Sequence, residues 1–369
     1  MQRAWLPASA SAAATGAATT AQIKVLSYNV LSQSLMRREL FPYASETALK
    51  WKQRSELLLR EIALYDADIV CLQECDKYSK FWAPQMLQHG YEGVYSKRTG
   101  KKEDGCAVFF KAGRLEAVGD TTTVKYNDEA AAGRLRMFET DNIGQIVQLR
   151  LVNSHSVTIT VANTHLFWRP AYNYLRLRQV HQLLAAIARL SAAPLHSSRT
   201  IICGDFNATP DDAIYELLVR GSISQEAQRT FHQACLPIFG EALDDPTAVQ
   251  LTPEEQIADA DNRVADLQAL LASAPFTSAY GAYLDVDASG RHTKPAHYPE
   301  WSRNPPFSNF TDSYKGNLDY IFVTVNSDVR LAQVMSIPTA EELSVQTALP
   351  NDIYGSDHIC IGAVLDLIS

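Results

Sequence analysis

The chain has 369 residues, 46% hydrophobic and 20% charged, with a formal net charge of -8. That size and balance suit one large α/β domain or two ordinary ones. The acidic total excludes the broad basic surface with which non-specific duplex binders displace counterions, so any nucleic-acid contact must be local and metal-assisted.

The first 21 residues, rich in Ala, Ser and Thr with Arg3 and no acid, predict a disordered tail or a weak mitochondrial targeting segment. Residues 22–369 carry no convincing linker and read as a single domain. Gln22 to Asn29 predicts a strand that delivers Asn29 to a sheet edge, and a helix follows over 47–65, where Trp51, Ser55, Leu58, Ile62 and Tyr65 form one stripe. Asp68 to Glu74 is a short apolar run closed by a polar pair, the pattern of a buried strand ending in a cleft. The pattern recurs: Ser156 to Asn163 runs into His165, Thr200 to Gly204 into Asp205, Leu318 to Val323 surrounds Asp319, and Ile359 to Leu365 follows Asp357 and His358. Helices are expected at 172–190, 211–220 and 252–273, the last opened by Thr252-Pro-Glu-Glu as a capped start. Alternating strands and helices predict a layered α/β sandwich, and residues 222–275, which carry no site-like cluster, an insertion on its rim.

The six cysteines show no paired C-x-x-C spacing for zinc and read as reduced thiols of an intracellular protein, cytoplasmic or, through the N-terminal stretch, mitochondrial. No apolar run reaches the roughly 18 residues of a membrane span, and no membrane partner is expected.

Taken singly, Glu74 reads as a solvated strand-end charge, Asp205 as a turn residue and His358 as a satisfied loop histidine. Together they have the parts phosphodiester hydrolysis needs: an electrophile for the phosphoryl oxygens, a positioned water, and groups that hold the phosphate in line. Carboxylates such as Glu74 suit Mg2+, which takes few protein ligands. Asn29 and Asn207 orient water or phosphate without adding charge. Asp319 is available to hold the imidazole of His358.

Six segments resemble, in order, the signatures of the endonuclease/exonuclease/phosphatase superfamily: Leu26-Ser-Tyr-Asn29, Cys71-Leu-Gln-Glu74, Asn163-Thr-His165, Gly204-Asp205-Phe-Asn207, Leu318-Asp319-Tyr and Gly355-Ser-Asp357-His358. The resemblance implies a four-layered α/β sandwich with two central mixed sheets flanked by helices. It also implies Mg2+, with Mn2+ able to substitute, held by Glu74 with Asn29 beside it and Asp357 close by. Asp205 would then serve as base or orienter of the attacking water, Asn207 and His165 would hold the phosphate, and His358, oriented by Asp319, would contact a non-bridging oxygen.

Thr164-His-Leu-Phe-Trp168-Arg-Pro170 and Phe307-Ser-Asn-Phe-Thr-Asp-Ser-Tyr314-Lys-Gly-Asn-Leu-Asp319 resemble the eukaryotic deadenylase branch of carbon catabolite repressor nucleases, Nocturnin, Angel and yeast Ngl proteins. This implies a 3′-to-5′ exonuclease that releases 5′-nucleotides from single-stranded RNA, with a preference for poly(A), its terminal adenine held between Pro170 and Tyr314. The alternative for Tyr314 is a core position beside Tyr320 and Phe322. The chain departs from the branch in having Tyr where Phe is common, and recruitment through the leucine-rich-repeat segment of the largest deadenylases is not expected. Within the same chemistry an RNA end-processing 2′,3′-cyclic phosphatase and a dinucleotide 2′-phosphatase are the rivals, and a non-catalytic RNA-binding protein is a third. Lys97, Arg98, Lys101 and Lys102 form a basic loop that suits either enzyme, or solvation alone.

Overall fold

Successive strand residues face opposite sides of a sheet, so strands apolar on both faces must be covered twice. In the computed structural model, which describes residues 2–8, 19–132, 138–191, 194–235, 251–272, 275–287, 289–324, 326 and 328–368, this is how the chain is arranged. The elements run β1 (Trp5–Pro7), β2 (Thr19–Asn29), α1 (Trp51–Tyr65), β3 (Ile69–Gln73), α2 (Ala83–Gln88), β4 (Tyr91–Lys97), β5 (Gly105–Lys111), β6 (Leu115–Ala117), β7 (Thr122–Lys125), α3 (Tyr126–Ala132), β8 (Ile143–Leu151), β9 (Ser154–His165) and α4 (Asn173–Leu190). They continue with β10 (Thr200–Asp205), α5 (Ala213–Arg220), α6 (Gln225–Cys235), α7 (Pro253–Leu271), β11 (Thr277–Ser278), α8 (Tyr283–Val286), β12 (Asn309–Phe310), β13 (Lys315–Gly316), β14 (Asp319–Val323), β15 (Val329–Met335), α9 (Ala340–Leu343) and β16 (Ile361–Ile368).

One mixed sheet has the order β1-β15-β16-β2-β3-β5-β4, and the other β11-β14-β10-β9-β8-β6 with β7 also on β8. Alternation assigns each residue its layer. Val25, Ile69 and Cys71 meet Val161, Ile201 and Cys203 between the sheets. Their neighbours Leu26, Val70 and Leu72 pack outward with Leu58, Ile62 and Met86 of α1 and α2. On the other side Ala162, Ile202 and Phe322 pack with α4 and α5 through Leu177, Leu184 and Leu217. Four layers result, as expected.

Each sheet holds one parallel pair, β2 with β3 and β9 with β10. Parallel neighbours need a crossover, which α1 and α4 supply. Both pairs therefore end at a common edge, where Asn29 is in register with Gln73 and His165 with Asp205. Gly204 lets the second pair close, since a Cβ there would lie 2.2 Å from the Thr164 carbonyl oxygen.

Two expectations change. Within the N-terminal stretch read as a tail, residues 5–7 pair antiparallel with β15 and β2 begins at Thr19, while residues 9–18 lie outside the described residues. Composition misled here because the anchoring comes from Arg3, which is buried and bonded to Tyr65 and to Glu61 at 2.9 Å. The stretch 222–275, read as a rim insertion, adds α6 and α7, whose Phe231, Val264 and Leu267 join the core under α4. Thr252 and Glu255 form the expected capping box of α7. Residues 236–250 and 273–274 lie outside the described residues. No described helix is long and apolar enough to cross a membrane, and the five cysteines described in side-chain detail are buried and free.

Candidate active site

Polar residues at the carboxyl ends of the two parallel pairs face each other across the gap between the sheets. Beneath them Asn163 pins the sheets together. It accepts from Gln73 Nε2 at 2.8 Å and donates to the carbonyls of Leu72 and Ala107 at 2.9 and 3.0 Å. Open α/β sheets bind ligands at such carboxyl edges.

Asn29 joins the two halves. Its Nδ2 donates to Asp205 Oδ2 at 2.9 Å and to Glu74 Oε1 at 3.2 Å, while its Oδ1 accepts from Leu31 N. In this arrangement Asn29 ties the expected metal carboxylate to the expected base, and its amide oxygen faces backbone. Glu74 follows β3 with φ of +53° and Asn207 follows β10 with φ of +49°. Left-handed backbone at non-glycine residues stores strain and recurs where a side chain must be aimed at a site.

Asp205 Oδ2 is the centre of the cluster. Nε2 of His165 lies 3.6 Å from it and Nε2 of His358 3.7 Å, while Oδ1 accepts from Asn207 N at 3.0 Å. Behind His358, Nδ1 meets Asp319 Oδ2 at 2.8 Å, and Ser308 Oγ donates to the same oxygen at 2.6 Å. Asn207 Nδ2 bonds the Leu166 carbonyl, and Asn142 holds the His165 carbonyl. Asp357 accepts from Asn309 Nδ2 at 3.3 Å, and its neighbour Ser356 donates to the Asn29 carbonyl at 2.7 Å.

Burial sets the protonation. It raises the Glu74 carboxyl to about 7, aided by the charges of Asp104 and Asp357. It raises Asp205, with Asp319 adding to the effect and His358 opposing it. His165 is lowered by its burial and stays neutral. Burial alone would lower His358 too, but Asp319, Asp205 and Asp357 together hold it protonated well above the usual histidine range.

The residues fit a divalent cation. Glu74 offers hard oxygens, and the mutual repulsion of Glu74, Asp104 and Asp357 is the negative field a bound dication relieves. Asp205, Asp319 and His358 also lie close enough together to share an ion, but the 2.8 Å contact between His358 and Asp319 reads as a hydrogen bond between ring and carboxylate. Glu74 is therefore the better seat for a cation.

Pro170 and Tyr314 both lie on loops, outside the strands and helices. Tyr314 is 43% exposed, which excludes the core alternative. Burial and the nearby charge of Asp205 push its hydroxyl up to about 12. Pro170 is exposed, and its carbonyl accepts from Arg176 at 2.9 Å. In the basic loop Arg98 is committed to structure, bonded to Asp104 and to the carbonyls of Thr140 and Asp141, which leaves Lys97 and Lys101 exposed.

Sequence reasoning missed Arg54. It is fully buried and donates to the carbonyls of Gly355 and Val30 at 2.7 Å, and to those of Leu31 and Gln33's side-chain amide, tying the loops after β2 and before β16. An arginine within the apolar stripe of 47–65 was the available signal. Ser308 and Ser356 were missed as well, each a small residue with no chemistry of its own.

Comparison with known proteins agrees with this geometry. The profile of the Endonuclease/Exonuclease/phosphatase family matches residues 26–358. Carbon catabolite repressor protein 4 homolog 1 of Arabidopsis thaliana is 29% identical over 91% of the chain and 56% of its own length. The CCR4-Not complex 3′-5′-exoribonuclease subunit Ccr4 of Mycosarcoma maydis is 28% identical over 93% of the chain and 50% of its own length. The chain thus spans about half the length of both. Among solved structures, ANGEL2, described as a 2′,3′-cyclic phosphatase, superposes with a TM-score of 0.72 at 23% identity, over 99% of this chain and 98% of its own, a likeness of fold.

Proposed function

The chain belongs to the endonuclease/exonuclease/phosphatase family, and from that premise we propose that it is a Mg2+-dependent phosphodiesterase that shortens single-stranded RNA from its 3′ end, releasing 5′-nucleotides. The observation that carries this reading is the meeting of Asn29, His165 and His358 around one carboxylate oxygen of Asp205, with Glu74 on the far side of Asn29. The exoribonuclease named among the relatives supports the substrate class.

Asp205, buried and fixed by Asn29 and Asn207, orients the attacking water and takes its proton. His358, kept cationic by Asp319, donates from Nε2 to a non-bridging phosphoryl oxygen as charge develops there. His165 and Asn207 hold the phosphate in line. Glu74, with Asp357 nearby, would hold the ion. Bound Mg2+, or Mn2+ in its place, supplies charge neutralisation at the phosphoryl oxygens and leaving group.

The test is hydrolysis of 5′-labelled oligo(A) beside a non-A RNA, the matching DNA and an oligonucleotide ending in a 2′,3′-cyclic phosphate, with Mg2+ or EDTA. A Mg2+-dependent ladder shortening from the 3′ end, absent in Glu74→Ala and Asp205→Ala, is the expected result. Removal of the terminal phosphate alone would assign the chain to RNA end processing instead.

A further inference from the structure

Trp168 is 62% exposed. A single exposed apolar side chain is ordinary, but an indole held open on a fixed loop offers a large flat face on which a base can stack. It is not a floppy loop tip. The preceding Phe167 packs on the core beneath α4. The turn that follows is gripped by Arg176, a buried guanidinium that bonds the carbonyls of Arg169 at 2.6 Å, Pro170 at 2.9 Å and Phe167 at 3.3 Å, and pairs with Asp212 at 3.1 Å. Arg169 lies over the outer residue, its guanidinium 5.4 Å from the Trp168 ring centroid and 5.8 Å from that of Tyr172.

The loop leaves directly from the site. His165 is the last residue of β9, and Leu166 accepts from Asn207. Only Leu166 and Phe167 separate His165 from Trp168, three steps of chain with a reach of at most about 11 Å. Stacking on an aromatic face is tolerant of base identity, and an arginine beside it adds cation–π attraction and a partner for phosphate.

Resting on the exonuclease reading above, we propose that Trp168, with Arg169 laid over it, is a second base platform that grips nucleotides upstream of the two that flank the scissile bond. Turnover then depends on RNA length. A dinucleotide does not reach the platform, whereas longer strands do and bind more tightly.

Two measurements on Trp168→Ala and Trp168→Phe test this. Steady-state kinetics on an oligo(A) length series should show KM for the longer strands rising about tenfold in Trp168→Ala with kcat unchanged, dinucleotide kinetics untouched, and Trp168→Phe close to wild type. Binding of a phosphorothioate oligo(A), which resists cleavage, should quench tryptophan fluorescence in the wild type and lose most of that quench in Trp168→Ala. Equal effects on dinucleotide and long strands, or an unchanged quench, would overturn the platform while leaving the exonuclease reading intact; the latter result would fit a protein-docking role for the tryptophan. Quenching and length-dependent affinity without any cleavage would sustain the platform and remove the proposed reaction.

Discussion

His358 and Asp319 meet at 2.8 Å through Nδ1 and Oδ2, and the opposite ring nitrogen of His358 stands 3.7 Å from Asp205. One carboxylate thus fixes the ring's direction and, with Asp205 and Asp357, its charge.

Replacing Asp319 by Asn removes the strongest of the charges that hold His358 protonated. The folded histidine pKa, raised in the wild type, should fall. The variant should lose activity as pH rises through the ordinary histidine range of about 6.5, where the wild type does not. A kcat loss of about a hundredfold or more with KM little changed is expected. Flat pH–kcat profiles in both proteins would dismiss the role of Asp319.

Glu74, pushed up to about 7, makes the folded state less stable wherever it is ionised without a counter-ion, because its folded pKa lies above its unfolded one. That penalty is absent below the unfolded value and grows as pH rises above it. Glu74→Gln should therefore melt no lower than the wild type in EDTA at neutral pH. Addition of Mg2+ should raise Tm in the wild type and leave the variant unmoved, as read by scanning calorimetry.

Strand ends were legible in the sequence because an apolar run closed by Asn, Glu, His or Asp would bury a costly polar group unless the strand emerged into a cleft. Asn29, Glu74, His165, Asp205 and Asp319 stand at or beside the ends of β2, β3, β9, β10 and β14. Arg54 was not legible in the same way. Its place on the apolar face of its helix hints at burial, but only the loops that close over it reveal four acceptors waiting for one guanidinium. Nor does spacing show that Asn29 faces Asp205 with its nitrogen, since that depends on the separation of two sheets set by side-chain volume throughout the core.

Gly204→Ala should separate β9 from β10 at the point where His165 and Asp205 are in register, because the new methyl meets backbone 2.2 Å away. A loss of about 1–3 kcal/mol is expected, with kcat falling further than stability alone predicts. Denaturant unfolding and single-turnover rates at a temperature where the variant is folded separate the two effects.

Asp259 couples α7 to α4, with Arg178 at 2.6 Å, Arg263 at 2.8 Å and the Tyr174 hydroxyl at 2.6 Å. Burial alone would raise this carboxyl, but the hydrogen bond from Arg263 and the charge of Arg178 bring it below the usual 3.8. Its stabilisation is complete above that value and fades as pH falls through the lower folded one. Asp259→Asn should cost about 2 kcal/mol at neutral pH, a difference that shrinks in acid. Urea titrations at neutral and strongly acidic pH check both the size and the sign.

β1 lies along the outer side of β15, so a chain shortened past it keeps every catalytic group yet bares a row of unpaired amides and carbonyls. Such a ladder recruits strands from other molecules. Shortened forms would therefore fail by clumping together at working concentrations, and their poor yield would be misread as a damaged active centre.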